Sequence, residues 1–202
     1  MKSVPQKGVA VGLRERKKDR TRADLLAVAL ELFDKQGFAE TTINQIADAV
    51  DVSPRTLLRY FSTKEDIVVS WVEEGMSVFI SSLADRPTSE AAHVSLLASA
   101  RAMLAHYQTQ ASFYLTIERT IASSSAIRAR KLEMSSQLAE QVTQLLKERS
   151  GSSGAGDWHA VLYPAVVFSV LRIVIGRWVE DNGNRPLLEL FDEASALIRF
   201  GD

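Results

Sequence analysis

Between residues 25 and 61 the apolar positions recur at three- and four-residue spacing in short bursts divided by polar links. Leu25, Leu26, Ala29, Leu32 and Phe33 make one stripe, which predicts a first helix over about residues 20–36, stopped by Gly37. Ile43, Ile46, Ala47 and Val50 make a second. Thr42 and Gln45 stand before it as a capping box, each side chain able to satisfy the other residue's orphan backbone N–H. Leu57 and Phe61 mark the inward side of a third helix. Ser53 supplies its N-cap oxygen, and Pro54 has the fixed φ that suits the first helical position. The link Asp51-Val52-Ser53-Pro54 is short, so the second and third helices form a helix-turn-helix, the unit that lays its second helix in a DNA major groove.

Every later strong segment also reads as helix. Ser62 with Glu65 forms another capping box, opening a helix that carries Ile67, Trp71, Met76, Phe79, Ile80 and Leu83 up to Arg86-Pro87. Residues 91–108 follow, carrying Val94, Leu97, Ala98, Ala102, Leu104 and Ala105, then a shorter helix holding Phe113, Tyr114, Ile117 and Ile121. Residues 127–149 are amphipathic, with Leu132, Leu138, Val142, Leu145 and Leu146 inward. A flexible linker, residues 150–156, precedes Asp157, a cap for residues 158–180. That helix holds Pro164 in its second turn and is apolar nearly all round, which predicts burial on several sides. Asn182-Gly183-Asn184 makes a turn before a last helix over residues 186–200. The expected fold is all-α with about nine helices: an arm (1–13), a three-helix DNA-binding domain (14–64) and a larger helical domain (65–202).

Charge sharpens this division. The 202-residue chain has a formal net charge of −1, yet residues 1–64 carry 12 Lys/Arg against 8 Asp/Glu, and residues 65–202 carry 12 against 17. A basic first part joined to an acidic remainder suits one surface facing phosphates and another that does not. Lys17, Lys18 and Arg20, in the basic run before the first stripe, are candidates for phosphate or minor-groove contact, where charge gains from counterion release. In the third helix Arg55, Thr56, Arg59 and Tyr60 remain outside the apolar side and are the candidate base and phosphate readers, with Ser53, Thr42 and Lys64 at helix starts that suit phosphate.

Other chemistries find little support. The chain has no cysteine, which excludes disulfides and thiolate metal sites. His93, His106 and His159 lack metal-ligand spacing, and no phosphate loop, nucleophile elbow or dinucleotide fingerprint occurs, so no metal, cofactor or enzymatic activity is expected. The amino terminus lacks the apolar stretch of a signal peptide. The longest apolar-rich run, residues 160–175, contains Arg172 and is shorter than the about 20 residues a transmembrane helix needs. The expectation is a cytoplasmic protein without a membrane partner.

Thr41-Thr42-Ile43, Ile46-Ala47, Val52-Ser53, Thr56-Leu57, Arg59-Tyr60-Phe61 and Lys64-Glu65 stand in the order and spacing of the tetracycline-repressor family signature. On these residues the segment 18–68, about a quarter of the chain, resembles that family's DNA-binding domain. The chain departs from its pattern at two places. Val50-Asp51 replaces a small residue and glycine before Val52, where aspartate tolerates turn dihedrals better than most residues. Leu58 replaces a tyrosine, removing a hydroxyl that Arg59 or Tyr60 would have to replace at phosphate.

The resemblance implies a homodimeric, ligand-responsive repressor of double-stranded operator DNA, pairing through its last two helices. It also implies a small-molecule pocket, for which the middle helices offer Met103, Tyr107, Phe113, Tyr114, Ile117, Phe168 and Arg172. Arg172, inside an apolar helix, calls for an anion such as Glu118, Glu133 or an acidic ligand group, or for a route to solvent. The basic run, Ser53-Pro54-Arg55-Thr56 and the carboxy-terminal Trp178 and Pro186-Leu187 resemble a branch linked to acyl-CoA-like ligands. The alternative is an adaptor that binds small molecules or pairs helices and has lost DNA binding; Leu58 favours it, and the salt dependence of DNA binding separates the two.

Overall fold

Helix α1 (Leu13–Gln36) starts well before the apolar stripe does. The basic run is therefore its opening turns and not an arm: Arg, Lys and Glu are good helix formers, and the Gly12 carbonyl accepts the first N–H groups. This computed structural model describes residues 12–150 and 158–200, and among them every regular element is an α-helix, nine in number. The arm through Val11, linker residues 151–156 and the Asp157 cap lie outside the described residues.

The chain divides into two units between Lys64 and Glu65. In the first, Gly37 ends α1 at φ 86°, a value that a side chain would oppose. The capping box forms as read: Gln45 N–H donates to Thr42 Oγ1 (3.2 Å) and Thr42 N–H to Gln45 Oε1 (2.8 Å), opening α2 (Ile43–Ala49). Asp51 takes a left-handed φ of 54°, filling the glycine position. Its N–H reaches Asp48 O and that of Val52 reaches Ala47 O, the paired bonds of a Schellman turn. Ser53 Oγ accepts Thr56 N–H (3.1 Å) at the start of α3 (Pro54–Leu58). Leu25, Ala29, Phe33, Ile46, Ala47, Leu57 and Phe61 close the core; each fully buried leucine or isoleucine is worth about 1.5–3 kcal/mol.

The second unit begins within α4 (Lys64–Ala84) and adds α5 (Ala92–Thr109), α6 (Ala111–Ser123), α7 (Ser125–Ser150), α8 (Trp158–Glu180) and α9 (Leu187–Ala196). Helix α8 packs against α5, α6, α7 and α9, and Trp178 is fully buried among them. Asn182, with φ 61°, and Gly183 repeat the Schellman turn after α8. Arg149 at the end of α7 donates to Leu83 O (2.6 Å), a carbonyl at the close of α4 that also accepts the Arg86 N–H.

Several expectations are corrected here. Helix α4 starts at Lys64, so the residue before it is Thr63 and not Ser62. Helix α9 ends at Ala196, short of residue 200, because Phe200 turns back to stack on His93 (5.3 Å) and meet Tyr163 edge-on (4.9 Å). Leu132 points outward at 60% exposure. The buried side of α5 includes Ser95 and Ser99 whereas Val94 is exposed; Ser99 Oγ donates to the carbonyl one turn back, which lets a hydroxyl sit in the core. Helix α8 is not buried all round: Trp158, Val161, Leu162 and Ile173 are exposed along one face.

Candidate DNA-binding interface

The interface candidates are drawn together by three helix starts. Thr42 begins α2, Ser53 begins α3 and Lys64 begins α4, within a single unit. Leu57 on α3 and Phe61 just beyond it are buried and fix the orientation of the helix, and the Arg22 guanidinium lies over the Phe61 ring at 5.3 Å. That contact brings the end of the basic α1 run beside the reader helix. Lys17, Lys18 and Arg20 precede it on the exposed opening turns of α1.

Helix α3 ends at Leu58, earlier than the apolar spacing to Phe61 predicts: Arg55 is exposed and Thr56 half-buried on it, while Arg59, its C-cap, is exposed and Tyr60, half-buried, lies in the turn that follows. Among the described residues neither arginine has an acidic partner, so both guanidinium groups keep their donors for an external acceptor. Thr56 is partly committed, since its Oγ1 shares a 2.8 Å hydrogen bond with Ser53 Oγ. Leu58, 44% exposed, stands on the outside of the helix as an apolar contact surface.

Lys64 departs from its expected place. Its Nζ donates to Phe38 O (2.5 Å) and Thr41 O (2.7 Å), lies 3.4 Å from Ala39 O, and sits 4.2 Å over the Phe38 ring. Sequence reasoning also missed Gln36, whose amide donates to Thr41 Oγ1 (3.2 Å) and Gln45 Oε1 (3.1 Å). The capping box singled out Gln45, but nothing in the local pattern identifies a partner nine residues upstream.

The chain can now be set beside known proteins. Residues 25–70 match the family described as bacterial regulatory proteins, tetR family. The HTH-type transcriptional regulator TcmR of Streptomyces glaucescens is 30% identical over 196 residues, covering 93% of this chain and 87% of that protein. The chain belongs to the tetR family. It is a DNA-binding helix-turn-helix transcriptional regulator. The transcriptional regulator FadR of Bacillus subtilis, solved with stearoyl-CoA, shares the fold at 20% identity, with a TM-score of 0.63 over 87% of this chain and 96% of that one. FadR of Thermus thermophilus, solved with lauroyl-CoA, does so at 21% identity and a TM-score of 0.55, over 89% and 97%.

In the second unit of this tetR-family protein, three of the seven candidate pocket residues, Tyr107, Phe113 and Tyr114, gather in one aromatic cluster. Tyr107 stacks on Tyr114 with ring centres 4.0 Å apart, and Phe113 meets Tyr114 and Trp71 edge-on. Met103 and Ile117 are buried on the same helices, and Phe168 packs against Phe79 (5.2 Å). His106 Nε2 shares a hydrogen bond with the Tyr114 hydroxyl (2.8 Å) and faces Glu74 Oε1 at 3.4 Å. Burial, with Glu74 adding to it, pushes the Tyr114 phenol up to about 12. Tyr107 is raised well above its ordinary value by burial first and then by Glu118, Tyr114 and Glu74. Arg172 does not join the cluster: it is exposed, taking the route to solvent. Buried Glu118 pairs instead with Lys131 (2.5 Å), and Glu133 with Arg130 (2.7 Å).

A surface groove of about 660 Å³ lies on α8 and α9, bordered by Ile173, Arg177, Arg185, Leu190, Glu193 and Leu197. Leu197 is 87% exposed, continuing the open apolar side of α8. By length and composition alone α4 and α8 are apolar enough to cross a membrane. Helix α4, however, has nine buried residues and carries Glu73 and Glu74 on its exposed side, the pattern of a core helix.

Proposed function

We propose that this tetR-family regulator is a homodimeric repressor, working in the cytoplasm, that a small lipophilic or acyl-CoA-like effector releases from its operator. The observation that carries DNA recognition is the pair of unneutralised arginines, Arg55 in the first turn of a helix capped at Ser53 and Arg59 closing that helix, held in place by buried Leu57 and Phe61. Arg55, in the first turn, reads a base edge, since an arginine there can take a guanine through two hydrogen bonds. Arg59, Tyr60, Thr42, Ser53 and Thr56 hold phosphate, and Lys17, Lys18 and Arg20 add sequence-independent attraction.

Two copies pair through α8 and α9. The exposed side chains of Trp158, Leu162, Ile173 and Leu197 supply the apolar surface for that contact. The dimer presents two reader helices to successive major grooves of a roughly palindromic site, about one helical turn apart. The effector enters among Tyr107, Phe113, Tyr114, Met103, Ile117 and Phe168, beside α4, whose first residue, Lys64, belongs to the DNA-binding unit. It acts by favouring a state of α4 in which DNA is bound less well, and only to the extent that it binds that state better. The stearoyl-CoA and lauroyl-CoA complexes of proteins with this fold support the choice of effector class.

The test is footprinting of the intergenic DNA beside the gene, followed by titration of the complex with oleoyl-CoA. Protection of a palindrome with a steep negative salt slope, and release at micromolar thioester, is the expected result. Release by no thioester removes the effector class; binding without salt dependence removes DNA recognition and leaves the adaptor.

A further inference from the structure

We propose that Lys64 is a positioning residue of the DNA-binding unit: it ties the loop between α1 and α2 to the first turn of α4, and it does not hold a phosphate. An ammonium has three N–H donors. Those of Lys64 face the carbonyl oxygens of Phe38 (2.5 Å), Thr41 (2.7 Å) and Ala39 (3.4 Å), while the Phe38 ring covers the same ammonium at 4.2 Å. The side chain is half-buried, so each carbonyl interaction takes place away from bulk water, where hydrogen bonds to a charged donor are strong. Moving Nζ to a phosphate would leave these carbonyls without their donor.

The Lys64 contacts do not end in the loop. Thr41, whose carbonyl takes the second bond, donates its own hydroxyl to Gly37 O (2.8 Å) and accepts from the Gln36 amide. Gln36 also donates to Gln45 Oε1, the oxygen that closes the Thr42 capping box. One continuous set of hydrogen bonds therefore runs from the start of α4 through the end of α1 to the start of α2. Helix α2 is joined to α3 by the tight Asp51 turn, so the reader helix inherits its orientation from this frame. Loss of Lys64 frees the start of α4 from α2 and lets the position of Arg55 drift. The consequence is lost discrimination between DNA sequences, with the number of phosphate contacts unchanged.

The experiment uses the full-length protein, the intergenic fragment beside its gene delimited by footprinting, and a random duplex of equal length. Lys64→Met and Lys64→Arg are compared with the wild type across a salt series, at a temperature where circular dichroism shows each variant folded. Positioning predicts that the ratio of specific to random binding falls roughly tenfold in Lys64→Met, the scale of losing hydrogen bonds to a charged group. The salt slope stays unchanged, and Lys64→Arg is impaired nearly as much, because a planar fork does not replace a tripod of donors. A phosphate contact predicts the reverse: a slope smaller by about 0.9 and near-normal binding by Lys64→Arg. That result overturns the proposal, as does loss of stability with an unaltered specificity ratio. Should the variants not fold, the ammonium signal of Lys64 in ¹⁵N-lysine wild-type protein decides: it stays in place on adding DNA if the residue positions, and moves with coupling to phosphorus if it binds phosphate.

Discussion

Gly75 of α4 lies against the phenol of Tyr107, so closely that a Cβ at position 75 would stand 2.6 Å from Cε1 and 2.8 Å from the hydroxyl oxygen. Tyr107 is buried and stacked on Tyr114, so its ring has little room to give way. The seat of α4 on α5 is thus set by the absence of one methyl group. Gly75→Ala is expected to destabilise the protein by about 1–3 kcal/mol, the usual cost of overpacking. Thermal unfolding of Gly75→Ala, Tyr107→Leu and the double variant checks this. The double should be less unstable than the two single losses combined, because the smaller side chain removes the clash.

Asp51 holds a left-handed conformation, φ 54°, in the turn between α2 and α3, and its side chain is exposed. Glycine carries no Cβ penalty there and a β-branched residue carries the most. Asp51→Gly should raise stability by about 0.5 kcal/mol, and Asp51→Val should lower it by at least about 1 kcal/mol. The midpoints of urea unfolding measure both changes.

Glu90 is held at about 2 by the Arg86 guanidinium first, then by the Ser95 hydroxyl, with Arg149 adding a weaker attraction. A carboxylate whose folded pKa lies below its unfolded value stabilises the fold when ionised. The contribution is complete above the unfolded pKa and is lost as pH falls towards the folded one. The gap in Tm between wild type and Glu90→Gln should therefore be widest near neutral pH and close progressively between about pH 5 and pH 2. A gap that is independent of pH would show that the carboxylate charge is not what matters.

The proposed dimer pairs through the open face of α8 and the exposed end of α9. Ile173→Glu places a charge in the centre of that face and should convert the dimer to monomer in analytical ultracentrifugation, with DNA affinity falling as the two half-sites uncouple. Leu132→Glu on α7, at a side chain 60% exposed, should leave the dimer intact. Equal effects of the two variants would place the contact elsewhere.

Arg55 and Lys17 separate reading from attraction. Arg55→Ala should cost about 1–3 kcal/mol on the operator and relax preference at one base position. Lys17→Ala should weaken all DNA alike and reduce the salt slope by about 1. Binding to a panel of single-base operator variants across a salt series measures both.

What the sequence by itself determined was local. The Thr42–Gln45 box, the Ser53-Pro54 start, the Gly37 stop and the Asn182-Gly183 turn are fixed by residues within a few positions of one another, so each is legible in the chain and forms as read. The all-α class and the inward Leu57 and Phe61 follow from apolar periodicity in the same way. The tertiary structure decided which partner each charged group meets and which apolar face remains open. Lys64 reads as a phosphate ligand because it opens a helix, yet carbonyls 23 to 26 residues earlier take its donors. Glu118 could have served Arg172, but it pairs with Lys131 on α7, and Arg172 is exposed on α8. Periodicity reports that a side chain is apolar or charged, whereas the cost of burying it depends on what another segment brings within hydrogen-bond reach. Lys64 shows the difference most directly: its place at the opening of α4 is set by the chain, and its role by the loop folded against it.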